Sequence, residues 1–188
     1  MNRRNKKPKY DKLTLGCGAK IRKGYVNLDV VKLKGVDIVH DLNKVPWPFP
    51  DNSFKEIICE HILEHLNDFN QVISEIWRIS KKGAILRVSA PYYIGWSAAA
   101  DPSHKIIFCY RTFDYYATNP MKKSIEYRTD FGSKARFKIL NIRINFSSSK
   151  VLNFIFNPLI NCRPLIYERF FFFWFPATGI DYELEVVK

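Results

Sequence analysis

The sequence lacks the features that mark several classes of protein. Its four cysteines form no Cys-x-x-Cys pair and are widely spaced, a pattern that indicates reduced thiols in an intracellular protein. No apolar run reaches the roughly 20 residues that a membrane span requires. The start of the chain is basic and has no apolar signal-peptide core. The sequence therefore predicts a cytoplasmic protein without a transmembrane segment.

Acidic residues are scarce, with 18 Asp and Glu against 30 Lys and Arg, for a net charge of +12. The excess is concentrated in residues 1–12 and 121–150. Two interpretations stay open: these segments attract nucleic acid, anionic lipid or a phosphorylated substrate, or they are simply solvated surface. No zinc finger, RNP signature or GxxG clamp supports nucleic-acid binding. The organisation predicted is a basic flexible tail over 1–11 and one domain over 12–188.

Short apolar segments alternate with turns in the first 90 residues. They predict strands at Lys12–Leu15, Tyr25–Asp29, Val36–Val39, Lys55–Cys59 and Ala84–Ser89. Apolar residues at three- and four-residue spacing from Leu63 to Ile79 predict one amphipathic helix before the fifth strand. Strands joined through a helix indicate a parallel sheet. Residues 19–24 are a short connection for a parallel crossover.

The C-terminal half is rich in aromatic residues. Phe137–Phe146 and Tyr182–Val187 are predicted as an antiparallel strand pair beside the parallel strands. Residues 165–175 are predicted as a helix that covers one face of the sheet. We expect the aromatic run Phe170–Phe175 to pack against the domain, with peripheral contact to a membrane interface as the alternative.

A glycine loop follows the first predicted strand. Gly16 and Gly18 lie where the chain must turn sharply and let a ligand approach its backbone. Asp29 ends the second strand, where a carboxylate can accept both hydroxyls of a ribose. The third glycine of a dinucleotide loop is absent, because Ile21 stands there, and no Gly-Lys-Ser/Thr forms a P-loop. A nucleoside without a pyrophosphate fits this pattern better than NAD or ATP.

Five short motifs follow one another in order: Leu13-Thr14-Leu15-Gly16-Cys17-Gly18, Gly24-Tyr25-Val26-Asn27-Leu28-Asp29, Asp41-Leu42, Pro50-Asp51-Asn52-Ser53-Phe54 and Leu63-Glu64-His65. Together they resemble the class I S-adenosylmethionine-dependent methyltransferases, most closely the type 11 branch. The resemblance is good over 12–90 and looser beyond. It implies an α/β, Rossmann-like fold, with a mostly parallel sheet flanked by helices. Residues 12–90 would be the cofactor-binding half and 91–188 the acceptor-site half.

The resemblance also implies roles for individual residues. The cofactor-binding set is Gly16, Cys17 and Gly18 for the methionine part, Asp29 for the ribose, Asp41 and the Leu42 backbone for the adenine, and Glu60 beside the cofactor. Two positions depart from the family pattern: Thr14 stands where many members have an acid, and Lys55 stands where Asp is common. Neither departure removes a group that the chemistry requires.

Methyl transfer needs geometry more than reactive side chains. A general base matters only when the acceptor is a hydroxyl or a protonated amine. The candidates are His61, His104 and Tyr92, with Asp101 placed to orient His104. An equally weighted alternative is that Asp101 and His104 only stabilise a turn.

One motif competes with this interpretation. Residues 61–65 also spell His-x-x-Glu-His, an inverted zinc-peptidase pattern. The predicted strand running into His61 and the start of a helix at Glu64 and His65 explain the same residues, so no metal site is predicted.

The sequence therefore predicts S-adenosylmethionine-dependent methyl transfer to an unidentified acceptor. The basic segment over 121–150 favours an acceptor that is anionic. The rival predictions are a non-catalytic module that keeps the fold, and a basic nucleic-acid-binding protein.

Overall fold

A computed structural model describes residues 10–93, 95–121 and 133–188. Most of the predicted basic tail, together with residues 122–132 of the second basic segment, lies outside the described residues. Neither prediction about those segments is therefore addressed by the fold.

The described residues form a seven-stranded sheet in the order β3-β2-β1-β4-β5-β7-β6. The strands are β1 (Lys12–Leu15), β2 (Val26–Asp29), β3 (Ile38–Val39), β4 (Phe54–Glu60), β5 (Ser80–Pro91), β6 (Arg136–Asn145) and β7 (Gly179–Val187). Strands β1 to β5 pair in parallel, and β7 runs antiparallel to both β5 and β6. The predicted fold class, a mostly parallel sheet flanked by helices with antiparallel C-terminal strands, is confirmed.

The short connection between β1 and β2 contains turns in place of a helix. Leu13 lies opposite Val26 in the parallel register, and the backbone N–H of Cys17 donates to the carbonyl of Leu28 at 3.0 Å. The chain therefore reaches the next parallel strand without a crossover helix, which accounts for the short spacing in the sequence.

The predicted helix from Leu63 to Ile79 is two elements. A 3₁₀ turn covers Leu63–His65, and the helix proper, α1, covers Phe69–Ile79. Asp68 interrupts the continuous pattern because its carboxylate accepts from the backbone N–H of Gln71 at 3.0 Å and caps α1. The prediction of one helix was wrong, although the apolar side chains of both elements are buried in the same core.

A buried carboxylate on α1 binds the long loop before β4. Trp47 is fully buried, and its backbone N–H donates to Glu75 Oε2 at 2.7 Å. Arg78, one turn further on, donates to Glu75 Oε1 at 2.7 Å. Because a buried carboxylate requires partners, this network holds the loop against the helix.

A helix with a row of asparagines covers the edge strand β6. The helix α3 spans Lys150–Cys162. The amide oxygen of Asn157 accepts from the N–H of Phe146 at 2.9 Å, and that of Asn161 accepts from the N–H of Ile144 at 2.8 Å. Side chains on α3 thus satisfy backbone groups that an edge strand would otherwise leave open.

The aromatic segment that follows α3 is helical but is not buried as predicted. A helical turn at Pro164–Ile166 continues into a wide turn at Tyr167–Phe171. Tyr167 is buried, but Phe173 and Trp174 are 81% and 79% exposed. The expectation that Phe170–Phe175 packs against the domain was therefore wrong for most of the run, within which Phe172 packs against the core. In the described ranges no helix is both long enough and apolar enough to cross a membrane.

Candidate active site

The predicted site residues gather at one edge of the sheet. The parallel strands β1, β2 and β4 end at Leu15, Asp29 and Glu60. The strand order changes direction between β1 and β4, and a crevice outside the carboxyl ends at such a point is where α/β sheets bind ligands. The fold therefore brings the glycine loop, Asp29 and Glu60 to the same edge of the sheet.

Each glycine of the loop is required for a different reason. Gly16 has φ +60°, and a Cβ placed there would lie 2.5 Å from Ile62 Cγ1. Gly18 has φ +51°, and a Cβ there would meet nothing within 4 Å. Gly16 is needed for close packing against the segment after β4, whereas Gly18 borders open space where a ligand can approach.

Asp29 holds the glycine loop in shape. Its Oδ2 accepts from the backbone N–H of Gly18 at 2.7 Å, and its Oδ1 accepts from the N–H of Val31 at 2.9 Å. Each carboxylate oxygen keeps a second lone pair that can accept a hydroxyl group. The same side chain can therefore order the loop and bind a ligand.

Two cations lie beside Glu60 that the sequence interpretation missed. Arg22 Nη2 lies 2.5 Å from Glu60 Oε1, and Lys20 Nζ lies 3.8 Å from Oε2. Both cations belong to the irregular β1–β2 connection, where no periodic pattern marks a functional position. Glu60 is therefore already paired, and a ligand would meet it together with Arg22.

The residues expected to bind adenine, Asp41 and Leu42, lie in the loop after β3. Asp41 Oδ1 accepts from the backbone N–H of Asn43 at 3.0 Å, and this hydrogen bond lowers the pKa of Asp41. Leu42 is buried, and its carbonyl accepts from Trp47 Nε1 at 3.1 Å. The backbone N–H of His40 donates to the carbonyl of Asp29 at 2.9 Å, so this loop is tied to β2.

Two of the three candidate bases line one cleft. A cleft of about 470 Å³ is bordered by His61, Glu64, His65, Pro91, Trp96, Ser97, Ala100, Asp101, Pro102 and His104. His61 follows β4 directly, with φ +50°, and its Nδ1 lies 3.3 Å from Glu64 Oε1. The neighbouring Glu64 carboxylate raises the pKa of His61. His104 Nε2 lies 3.8 Å from Asp101 Oδ2, beyond hydrogen-bond distance, and Nδ1 is oriented instead by the Ala98 carbonyl at 3.0 Å.

The third candidate base, Tyr92, lies in the core. It is fully buried, and its hydroxyl donates to Glu168 Oε1 at 3.0 Å. Burial raises the pKa of Tyr92 well above that of a free tyrosine. A phenol without access to the cleft cannot take a proton from an acceptor, so we exclude Tyr92 from the proposed catalytic residues.

Comparisons with known proteins agree with this arrangement. Residues 17–88 match the family model described as a methyltransferase domain. The solved structure of a SAM-dependent methyltransferase from Archaeoglobus fulgidus superimposes with a TM-score of 0.60 at 14% identity, covering 95% of this chain and 87% of that one. Residues 17–88 thus match a methyltransferase domain, and the described chain has the class I methyltransferase fold.

Two further likenesses limit what can be concluded about the reaction. A demethylmenaquinone methyltransferase from Listeria welshimeri is 36% identical over 67 residues, which are 34% of this chain and 28% of that protein. The match thus spans little more than a quarter of that relative's length. The [4+2]-cyclase SpnF also has this fold, with a TM-score of 0.54, 15% identity and coverage of 94% and 74%. The class I fold alone therefore does not establish the reaction.

The residues at this edge of the sheet fit S-adenosylmethionine. Open space borders Gly18, where backbone must approach a ligand. Asp29, at the end of β2, offers free carboxylate lone pairs to hydroxyl groups. Donors and acceptors of the kinds that a nucleoside with an amino acid tail requires are thus present at this edge.

Proposed function

We propose that this protein transfers a methyl group from S-adenosylmethionine to an acceptor bound in the cleft of His61 and His104. The observation that carries the proposal is the loop geometry: Gly18 borders open space while Asp29 orders the loop from the next strand. A loop serving only as a turn would not need an acid aligned to it from a neighbouring strand.

The residues of this chain would divide the work between binding and positioning. Gly16, Cys17 and Gly18 would hold the methionine part, Asp29 the ribose, Asp41 and the Leu42 backbone the adenine, and Glu60 would border the cofactor. When bound, S-adenosylmethionine supplies a methyl group already activated by a sulfonium centre. The protein then contributes mainly the alignment of the acceptor with that methyl group.

His61 is the proposed proton acceptor when the acceptor is a hydroxyl or an amine. Its side chain is 60% exposed, it follows β4 at the cofactor edge, and Glu64 Oε1 is placed to stabilise its protonated form. Substitution His61→Gln should lower kcat far more than it lowers affinity for the cofactor. Equal losses in both would indicate a structural role.

The test of the cofactor is calorimetric titration of S-adenosylhomocysteine into the purified protein, beside NAD and ATP. Selective binding is expected, and Asp29→Ala should weaken it about 100-fold, since two hydrogen bonds to a charged group are lost at about 1.5 kcal/mol each. The matched control is Asp11→Ala, a half-exposed acid that pairs with Lys55 at the amino end of the same sheet. Absence of binding would favour the non-catalytic rival, whereas binding without turnover would leave a cofactor-dependent module.

A second proposal concerns the surface at which the protein meets its acceptor. We propose that the aromatic face, formed by residues 151–175, docks on an anionic lipid surface. The exposed large apolar side chains are Val151, Leu152, Phe154, Ile155, Leu159, Leu165, Ile166, Phe170, Phe171, Phe173, Trp174 and Phe175. This apolar area is continuous along the chain, as in proteins that enter the interface of a bilayer.

The charge on the aromatic face selects a lipid surface. Lys150, Arg163 and Arg169 are exposed there. Glu168 is the acid of this segment, and its Oε1 accepts from the Tyr92 hydroxyl and from the Tyr110 N–H, so it faces inward. The outward groups are therefore apolar or cationic, which complements an anionic headgroup layer.

Co-sedimentation with phosphatidylglycerol vesicles tests the docking proposal, with phosphatidylcholine vesicles as the comparison. Phe173→Ser with Trp174→Ser should weaken binding at least about 100-fold, because each buried aromatic contributes about 1.5 kcal/mol or more. Tyr115→Ser, an exposed aromatic outside the face, is the matched control. The proposal would be overturned if the protein formed a dimer that buries the same residues and did not co-sediment with the vesicles.

A further inference from the structure

Three side chains that border the cleft form a cluster of potential metal ligands. One ligand atom each of Glu64, His65 and His104 lies within 4.8 Å of the other two. Two imidazoles and one carboxylate are donors that suit a borderline divalent transition metal. The set joins positions 39 residues apart, so it arises from the tertiary fold.

The backbone fixes these two segments against one another. Glu64 and His65 belong to the 3₁₀ turn, and His104 lies in the loop after α2 (Trp96–Ala100). The N–H groups of Lys105 and Ile106 both donate to the Glu64 carbonyl, at 2.7 and 3.1 Å. The His104 segment is therefore held beside Glu64 without help from the side chains themselves.

Glu64 is buried and lacks hydrogen-bond partners. Its side chain is 1% exposed, and neither carboxylate oxygen has a hydrogen bond within the described residues. His61 Nδ1 approaches Oε1 to 3.3 Å, but not in hydrogen-bond alignment. A carboxylate removed from water requires a cation or donors, and this one directs its oxygens to the same place as two imidazoles.

Hydrogen bonds select the tautomer of each histidine. His104 Nδ1 lies 3.0 Å from the carbonyl oxygen of Ala98, which can only accept, so Nδ1 carries the proton. The Ser103 hydroxyl donates to Asp101 Oδ1 at 2.6 Å, which leaves its oxygen to accept from His65 Nδ1 at 2.9 Å. In both neutral rings Nε2 therefore keeps its lone pair.

This arrangement is typical of metal-binding histidines. A ligating imidazole usually donates its other N–H to a carbonyl, a carboxylate or a group linked to one, and that partner fixes the ring. Ala98 plays this part for His104, and Ser103 with Asp101 plays it for His65. The partners are thus in place around ligands whose lone pairs are available.

We propose that Glu64, His65 and His104 bind a divalent transition-metal ion of the Zn²⁺ class through one carboxylate and two Nε2 atoms. The site lies in the acceptor cleft, where a metal can bind an oxygen of the substrate. His104 is then a metal ligand and leaves the set of candidate bases. The site does not depend on the cofactor, so it stands independently of the proposed methyl transfer.

The test is calorimetric titration of Zn²⁺ into chelator-treated protein, in the absence of nucleoside. One ion per chain is expected, with affinity reduced at least about tenfold in His65→Ala and in His104→Ala. His40→Ala is the matched control, because His40 lies in the loop after β3 and contacts the Lys44 carbonyl. Circular dichroism checks that each variant is folded.

Cobalt supplies a readout of direct ligation. Co²⁺ in place of Zn²⁺ should show visible d–d absorption, and His104→Cys should add a thiolate-to-cobalt charge-transfer band in the near ultraviolet. Zn²⁺ binding unaffected by the His65 and His104 substitutions, or lost equally in His40→Ala, would overturn the site. A chain that binds S-adenosylhomocysteine but no Zn²⁺ would refute this proposal alone, and the reverse result would refute only the cofactor proposal.

Discussion

Substitutions at the glycines of the loop test the proposed cofactor site most directly. In Gly16→Ala and Gly18→Ala the new residue must adopt the left-handed conformation, at φ +60° and +51°, which costs a non-glycine residue about 1–2 kcal/mol. Only at Gly16 would the Cβ also meet Ile62, at 2.5 Å from Cγ1. Overpacking of this kind adds about 1–3 kcal/mol.

The two variants should therefore separate in stability. Gly16→Ala should lose about 2–5 kcal/mol and Gly18→Ala about 1–2 kcal/mol in urea unfolding. For a domain of this size the difference corresponds to a Tm roughly 2–12 °C lower for Gly16→Ala. Combining Gly16→Ala with Ile62→Ala should cost about 1 kcal/mol less than the sum of the single losses, because the contacting atoms are partly removed.

The loss of affinity for S-adenosylhomocysteine should follow the opposite order and be larger in Gly18→Ala. Gly18→Ala places a methyl group on the open side of the loop, so the affinity for S-adenosylhomocysteine should fall at least about tenfold. Gly24→Ala is the control: it has φ +80° and no atom within 4 Å of an added Cβ, but it lies before the amino end of β2. Equal affinity in these two variants would refute the placement of the ligand. A Gly16→Ala protein as stable as Gly18→Ala would refute the packing argument.

Three further predictions concern the frame around the site. Glu75→Ala should cost about 1–3 kcal/mol in urea unfolding because the buried Trp47 N–H loses its acceptor, whereas Asp51→Ala, which removes a mostly exposed partner of Arg78, should cost less than about 1 kcal/mol; similar losses would contradict the burial argument. Asp68→Ala should lower stability by about 1 kcal/mol through loss of the α1 cap, and an unchanged midpoint would indicate that the cap contributes nothing. In the native protein a thiol reagent should modify the exposed Cys162 quickly. Cys59 is buried, and burial raises its pKa, so it should react only after unfolding. Early modification of Cys59 would place β4 at the surface.

The short-range features of the site were predictable because they depend on neighbouring residues. The alternation of apolar segments predicts the strands, and glycines after β1 predict a sharp turn whatever surrounds them. The bounds of β1 are as predicted, and those of β2 differ by one residue. The end of α1 at Ile79 is also as predicted, and β5 begins at the next residue, Ser80.

The paired groups of the site were not predictable from a linear pattern. Arg22 and Glu60 are 38 positions apart and meet only because β1 and β4 are neighbours in the sheet. Tyr92 was predicted as a base because it follows β5, but only the fold shows that it faces Glu168 in the core. Hydropathy also predicted that Trp174 is buried, and this prediction was wrong. An apolar composition does not tell whether the fold provides a surface on which the side chain can pack.

The sequence by itself determined the α/β class, the strand positions, the glycine loop and the acid that follows β2. Each of these depends on backbone conformation and on apolar periodicity, which act over a few residues. Only the tertiary structure decided which side chains share the cleft, that Glu64 is buried between His65 and His104, and that the aromatic face is exposed. Such contacts depend on the order and direction of the strands, and no local pattern encodes the distance between residues that the sheet brings together.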